Sequence, residues 1–188
     1  MYNRSVEGRP LDDRTLISRA KSGDADAFVS LIRAHQGLGL RVAYLIVRDA
    51  HEAEDALQEA VVKTHRAIGR VREDAEFRPW FLRIVRNEAL NRRRSANRRI
   101  GLALRSVSVS GDAVPSPETV VLEDERRQRL LSAVDQLPQP VREVIECRFL
   151  LELSERETAT VLRIAPGTVK SRMSRGLGRL RESLEEER

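Results

Sequence analysis

The cationic and hydroxyl side chains near the C-terminus share one face of a predicted helix. They lie at helical spacing: Lys170, Ser171, Ser174 and Arg175. No acidic residue occurs between positions 165 and 181. Cations bind phosphates, and short polar or arginine side chains hydrogen-bond base edges in the major groove. The pattern predicts a surface that reads duplex DNA, and the alternative is a solvated basic helix in an ordinary bundle.

A second cationic stretch lies in the middle of the chain. Its arginines are Arg83, Arg86, Arg92, Arg93, Arg94, Arg98 and Arg99. Asn87 and Asn91 lie among them, and Glu88 is the only acid. Arginine grips phosphates and stacks on bases, while asparagine hydrogen-bonds base edges. The stretch is therefore suited to hold a nucleic acid, including an unpaired strand.

An acidic, partly apolar helix face is predicted in the N-terminal half of the chain, before the second cationic stretch. Its members lie at spacings of three and four residues: Asp55, Gln58, Glu59 and Val62. Such a face can dock on a basic protein partner. The alternative is an ordinary solvated acidic face.

The sequence offers little support for an enzyme. His51-Glu52 starts like a zinc-protease motif but lacks the second histidine four residues on. The three histidines have no metal-ligand spacing, and Cys147 has no cysteine partner. A phosphate-binding glycine loop is absent. We therefore expect no catalytic residue, no metal and no cofactor, and Cys147 is interpreted as a core thiol, with a redox sensor as the alternative.

Two short helices are predicted to carry the C-terminal cationic face. Ser154 and Glu157 have the spacing of a capping box. After a turn over residues 163–165, Pro166 begins the second helix, since proline suits the first helical turn. Two short helices joined by such a turn form a helix-turn-helix. The apolar side of the second helix is expected to pack inward through Val169, Met173, Gly176, Leu177, Leu180 and Leu184.

Periodic apolar residues predict further helices in the first half of the chain. Gly23 ends the first, and Asp24 caps the second. A break at positions 48–49 precedes a third helix, over about residues 52–68.

A polar loop is expected over residues 69–76, followed by a fourth helix from about 78 to 99. Trp80 and Phe81 of that helix are interpreted as core residues, because the chain is poor in aromatics at 4%.

Serine, glycine and proline then become frequent, which indicates a linker over residues 100–125. The predicted fold is therefore all-α, with two small helical domains, residues 11–99 and 126–184, joined by a flexible linker.

Composition favours a polyanionic partner and a soluble protein. The 188 residues carry a net charge of +5. The first ten residues lack the apolar stretch of a signal peptide. No apolar run approaches the ~20 residues that a membrane span needs. We therefore expect a cytoplasmic protein without membrane insertion.

The C-terminal segment closely resembles region 4 of the extracytoplasmic-function (ECF) sigma factors of the sigma-70 family. The resemblance is carried by Leu137-Pro138, Arg142-Glu143-Val144, Leu153-Ser154, Ala159, Leu162, the run from Ile164 to Arg172, Arg175-Gly176 and Arg179-Leu180. In that family the second helix reads the −35 promoter element. The resemblance implies base or phosphate contacts from Lys170, Ser171, Ser174 and Arg175, with Thr168 and Arg172 supporting them at the DNA backbone.

Two positions depart from the pattern of the family. Arg163 stands in the turn where the family usually has glycine, and Thr158 stands where it usually has an apolar residue. If the turn needs a left-handed backbone, arginine costs about 1 kcal/mol there. We expect a less stable, or slightly differently packed, −35-reading domain.

The N-terminal half resembles region 2 of the same family. Residues 52–59 resemble region 2.2, which implies that Asp55, Gln58, Glu59 and Val62 bind the clamp helices of the largest polymerase subunit. Residues 77–94 resemble regions 2.3 and 2.4, which open and read the −10 element. The side chains implied there are Arg83, Arg86, Asn87, Asn91 and Arg92. Residues 69–76 are the implied wall of a pocket for an unpaired base.

The resemblance implies a sigma factor that binds core RNA polymerase and starts transcription at promoters. Implied partners are the clamp helices, the flap of the second-largest subunit, promoter DNA and an anti-sigma protein. A free linker of ~26 residues averages ~30 Å end to end. Promoter elements about 17 base pairs apart lie ~55–60 Å apart, so polymerase must hold the two domains at that distance. The alternative function is a conventional helix-turn-helix regulator that binds duplex DNA without polymerase.

Overall fold

The structure is a computed structural model that describes residues 12–72, 76–103 and 121–186. Regular structure in these ranges is helical throughout, which confirms the all-α prediction. The helices are α1 (Asp13–Lys21), α2 (Ala25–Val47), α3 (Ala50–Ala67), α4 (Phe77–Ala103), α5 (Val121–Gln136), α6 (Gln139–Ile145), α7 (Glu155–Leu162) and α8 (Pro166–Glu186). A 3-10 turn, Ile68–Arg70, follows α3, and a π-helical turn, Glu146–Leu150, follows α6.

The chain divides into two compact units between Arg93 and Arg94, within α4. This division confirms that the chain has two helical domains. Helix α4 continues to residue 103 and α5 begins at residue 121, both inside the predicted linker. Residues 104–120 of that linker lie outside the described ranges. The predicted domain limits therefore stay predictions.

Aspartates cap the first three helices. Asp12, Asp24 and Asp49 each accept a hydrogen bond from the backbone N–H three residues further on, at 2.8–3.0 Å. That hydrogen bond is the main reason why the pKa values of Asp12 and Asp24 lie below their usual range. Gly23 has a positive φ of 91° and ends α1 as predicted.

The core of the first unit is built around a close approach of α2 to its neighbours. A β-carbon at Gly39 would lie 3.0 Å from Leu57 and 3.1 Å from Phe81, so glycine makes room for both side chains. Phe81 stacks on Phe77 with ring centroids 5.7 Å apart. Phe81 is fully buried, as predicted, whereas Trp80 is only half-buried. Helix geometry explains the difference in burial. Residues 77 and 81 are one turn apart on the inward face of α4, and Trp80 lies at the edge of that face.

The core of the second unit joins α5, α6 and α8. Its buried cluster consists of Ala133, Val134, Leu137, Val141, Ile145 and Leu180, with Met173 packed against it. Val169 and Gly176 also face inward, as predicted. Leu177 and Leu184 are exposed, so their predicted inward packing is wrong. Leu177 lies about 100° around the helix from Gly176, and Leu184 lies a turn beyond Leu180 near the end of α8.

Candidate nucleic-acid interface

In the helix-turn-helix, a capped first helix, α7, and a tight turn position the second helix, α8. The amide of Glu157 donates to Ser154 Oγ at 3.2 Å, and the amide of Ser154 donates to Glu157 Oε2 at 2.8 Å, which confirms the capping box. Arg163 ends α7 with φ 57° and ψ 46°, a left-handed conformation. The glycine position of the family therefore does need that backbone, and arginine costs about 1 kcal/mol there.

A polar side chain is buried in the first helix of this motif. Thr158 is fully buried, and its Oγ1 has no hydrogen-bond partner among the described residues. A buried hydroxyl without a partner loses its hydration and gains nothing in return. This is the second position at which the chain departs from the family pattern, and it lowers the stability of the unit that carries α8.

Helix α8 has a buried side and an exposed polar side. Val169 is fully buried and anchors the first turns of the helix. The predicted reading residues are all exposed: Lys170, Ser171, Ser174 and Arg175. The two predicted supporting residues, Thr168 and Arg172, are half-buried at the edge of this surface. The structure therefore brings the predicted −35 set together on one accessible helix face.

Three members of this face interact with other groups of the second unit. Arg175 Nε donates to the carbonyl oxygen of Ser171 at 3.2 Å, and Ser171 Oγ donates to the carbonyl oxygen of Thr168. Lys170 lies 3.8 Å from Glu155 of α7, with 70% of its side chain exposed. Such an exposed pair is weak, so a phosphate can replace the carboxylate at the Lys170 ammonium.

Helix α4 separates its predicted −10 residues onto two sides. Arg83, Asn87 and Asn91 follow one another at spacings of four and therefore share a face. Arg86 lies beside that face, while Arg92 lies about 180° around the helix from Arg83. Asn91 is exposed, and the other four side chains are half-buried.

Arg92 contacts carboxylates of α3. Its Nη1 lies 2.8 Å from Glu52 and 3.0 Å from Asp55, and its Nη2 lies 2.8 Å from Glu59. The hydrogen bond to Glu52 is the main cause of a raised pKa at Arg92. Glu52 was missed by the sequence reasoning, although its spacing of three and seven residues from Asp55 and Glu59 indicates a shared face.

A second ion pair joins the same two helices. Lys63 Nζ of α3 donates to the carboxylate of Glu88 of α4. The side chain of Glu88 is only 6% exposed. The single acid of the cationic stretch therefore does not face solvent beside the arginines. It turns toward α3, where a lysine compensates its charge.

The outer face of α3 carries the predicted polymerase-binding residues. Asp55, Gln58, Glu59 and Val62 are all exposed, with 49% of Val62 accessible. The opposite side packs tightly, because Ala53, Ala56 and Ala60 are fully buried. Small side chains on the inner face allow close helix packing and leave the acidic, partly apolar set on the surface.

The described part of the chain contains no cluster of three or more histidine, cysteine, aspartate or glutamate side chains that could hold a metal ion. Cys147 is buried and forms no disulfide, as expected for a core thiol. Within the same ranges, no helix is both long and apolar enough to span a bilayer. The predicted base-pocket wall, residues 69–76, includes residues 73–75 outside the described ranges and stays a prediction.

Both units match sigma-factor family models. Residues 31–99 match Sigma-70 region 2, and residues 127–180 match Sigma-70, region 4. The chain is 34% identical over 171 residues to the RNA polymerase sigma-H factor of Pseudomonas aeruginosa, covering 87% of this chain and 89% of that protein. It is 34% identical over 168 residues to the ECF RNA polymerase sigma factor SigM of Mycobacterium tuberculosis, covering 89% and 82%.

A solved structure has the same fold. CnrH, in complex with the cytosolic domain of CnrY, superposes with a TM-score of 0.67 at 25% identity, covering 94% of this chain and 99% of that one. Matches to sigma factors in both units favour the sigma-factor reading over a regulator that works without polymerase. The chain belongs to the extracytoplasmic-function group of the sigma-70 family of RNA polymerase sigma factors.

Proposed function

We propose that this sigma factor binds core RNA polymerase through α3, reads the −35 element with α8 and opens and reads the −10 element with α4. The observation that carries the proposal is the exposed cationic and hydroxyl face of α8, opposite the fully buried Val169. Polymerase supplies the chemistry of transcription, and this chain supplies promoter recognition in the cytoplasm.

At the −35 element, α8 enters the major groove. Arg175 and Lys170 bind guanine edges or phosphates, and Ser171 and Ser174 hydrogen-bond base edges. Thr168 and Arg172 support the helix at the DNA backbone. What supports this assignment is the exposure of the four reading residues, with Thr168 and Arg172 half-buried at the edge, on a helix whose other side is packed against α6.

At the −10 element, the shared face of α4 holds the unpaired strand. Arg83 and Arg86 bind phosphates, while Asn87 and Asn91 hydrogen-bond base edges. Extruding a base from the duplex costs a few kcal/mol, which these interactions offset.

The outer face of α3 binds the clamp helices of the largest polymerase subunit. Its carboxylates, Asp55 and Glu59, attract a basic surface, and the exposed Val62 adds apolar area to the interface. The flap of the second-largest subunit is the proposed partner of the C-terminal domain. An anti-sigma protein is a further proposed partner, as the resemblance to the family implies.

A gel-shift and transcription experiment with the purified full chain tests this function. We expect promoter-directed transcripts from a genomic promoter pool only when core polymerase and the chain are combined. The free chain should bind promoter duplex weakly, because in this proposal core polymerase sets the spacing of the two DNA-binding surfaces. Tight, specific binding without polymerase, unchanged when polymerase is added, would contradict the proposal.

Charge reversal tests the α3 surface. Asp55→Lys should weaken core binding by about 1 kcal/mol or more, since it places a cation against a basic partner. Asp26→Lys is the matched control, because Asp26 is exposed on α2 and is not a member of the proposed α3 face. Competition for labelled core polymerase measures the affinity of both variants. Equal losses of affinity in the two variants would indicate a general charge effect and remove the assignment.

A further inference from the structure

We propose that Arg92 is a positioning residue, and not a promoter contact. Together with the Lys63–Glu88 pair, it forms a charge ladder that sets the register of α4 against α3. The proposal rests on the proposed function, because the two helices carry the polymerase-binding and −10-reading faces.

The accessibility and partners of Arg92 argue against a role on DNA. Its side chain is 23% exposed, and its two terminal nitrogens lie within 3.0 Å of three carboxylates. Around α4 it lies about 180° from Arg83 and 140° from Asn87, although only about 100° from Asn91, and it is directed toward α3. A phosphate would have to displace those carboxylates and would meet their negative charge.

The order of the charges makes the ladder selective for one register. Glu59 and Lys63 are one turn apart on α3, and Glu88 and Arg92 are one turn apart on α4. The observed pairs are Glu59 with Arg92 and Lys63 with Glu88, so the two helices run antiparallel along the ladder. A slip of one turn in one direction would oppose Glu59 to Glu88. A slip in the other direction would oppose Lys63 to Arg92.

The burial of Glu88 strengthens this selection. A buried carboxylate without its partner is strongly unfavourable, whereas a compensated pair adds little net stability. The Lys63–Glu88 pair therefore acts mainly against wrong registers. Because the acidic α3 face binds polymerase and the α4 face holds the promoter strand, this register determines where polymerase presents α4 to DNA.

The salt dependence of promoter binding separates a positioning role from a phosphate-binding role. Removing one cation that binds a phosphate lowers the slope of log affinity against log salt by about 0.7 to 0.9. Arg83→Ala should lower that slope in the holoenzyme, because Arg83 lies on the proposed reading face. Arg92→Ala should leave the slope unchanged and slow promoter opening roughly tenfold, since small displacements of reacting groups reduce rates steeply. A slope lowered as in Arg83→Ala would overturn the proposal.

A charge swap tests the register directly and does not depend on Arg92. Lys63→Glu and Glu88→Lys should each slow promoter opening by the holoenzyme several-fold. The double swap re-forms the ion pair, but it sets two carboxylates of α3 against two cations of α4, so a slip of one turn no longer opposes like charges. It should therefore restore the rate only in part, and full restoration would mean that the order of the charges does not select the register. Rates are normalised to the fraction of chain that binds core, which removes unfolded molecules. Additive losses of rate in the double variant would contradict the proposal that the charge ladder sets the register. A wild-type chain that directs no transcription would instead reject the proposed function.

Discussion

Gly176 of α8 lies so close to Ile145 of α6 that a β-carbon on the glycine would come within 2.8 Å of Ile145 Cγ1. The close approach occurs where α8 crosses α6, one turn before the buried Leu180 and directly after the exposed Arg175. The glycine therefore lets the helix that carries the −35 face approach its support closely. The lack of a side chain at Gly176 is therefore needed for this packing. Helical periodicity in the sequence predicts only that the position faces inward.

Alanine at Gly176 is expected to destabilise the second unit. The added methyl group forces Ile145 aside, and overpacking of this kind costs about 1–3 kcal/mol, against a helix-propensity gain of about 1 kcal/mol. Gly178→Ala is the matched control, because nothing lies within 4 Å of its β-carbon position. That variant should be more stable. Since the single tryptophan, Trp80, lies in the first unit, hydrogen exchange of α6 and α8 amides is the suitable measurement.

Replacing Arg163 with glycine is expected to stabilise the second unit by about 0.5–1 kcal/mol. The left-handed backbone at φ 57° strains arginine but not glycine, and the entropy of glycine in the unfolded chain reduces the gain. Arg156→Gly, within α7, is the control and should destabilise by about 1 kcal/mol. Amide exchange in α7 and α8 measures both changes. A decrease of protection in Arg163→Gly would mean that the arginine side chain stabilises the turn more than its backbone strains it.

Valine at Thr158 is expected to raise the free energy of unfolding by about 1 kcal/mol. The substitution removes a buried hydroxyl that has no partner and keeps the shape of the side chain. Thr160→Val is the control in the same helix, because Thr160 Oγ1 donates to the carbonyl oxygen of Arg156 at 3.0 Å. It should give no comparable gain. Equal effects of the two substitutions, measured by exchange of α7 amides, would show that the orphaned hydroxyl carries no penalty.

Alanine at Arg175 is expected to weaken −35 recognition by about 1–3 kcal/mol and to leave core binding intact. The side chain is exposed on the reading face and lies outside the packed core of the unit. Arg181→Ala, an exposed arginine further along α8, is the matched control for the removed charge. Gel shifts of the holoenzyme on promoters with intact and altered −35 elements separate a loss of −35 recognition from the general effect of removing one charge. Loss of core binding together with −35 recognition would point to unfolding and contradict the assignment.

Local signals in the sequence determined the helices, the caps and the helix-turn-helix. Asp24 and Ser154 cap helices where their types predict it, because capping depends on residues only three positions apart. The cationic face of α8 likewise follows from residues three and four positions apart. The left-handed conformation of Arg163, in contrast, was only a condition raised by the resemblance to a family that usually has glycine there. The helices, the caps and the cationic face involve one helix or one turn at a time, which periodicity describes directly.

Tertiary structure alone decided which charges face one another. The sequence placed Arg92 with the −10 residues, because it lies within a run of arginines, but packing turns it to Glu52, Asp55 and Glu59 on α3. It likewise decided that Glu88 pairs with Lys63, 25 residues away. Periodicity gives the approximate buried face of a helix, with errors such as the exposed Leu177 and Leu184, but not the neighbour or the axial register. Those depend on how buried surfaces from distant segments fit together.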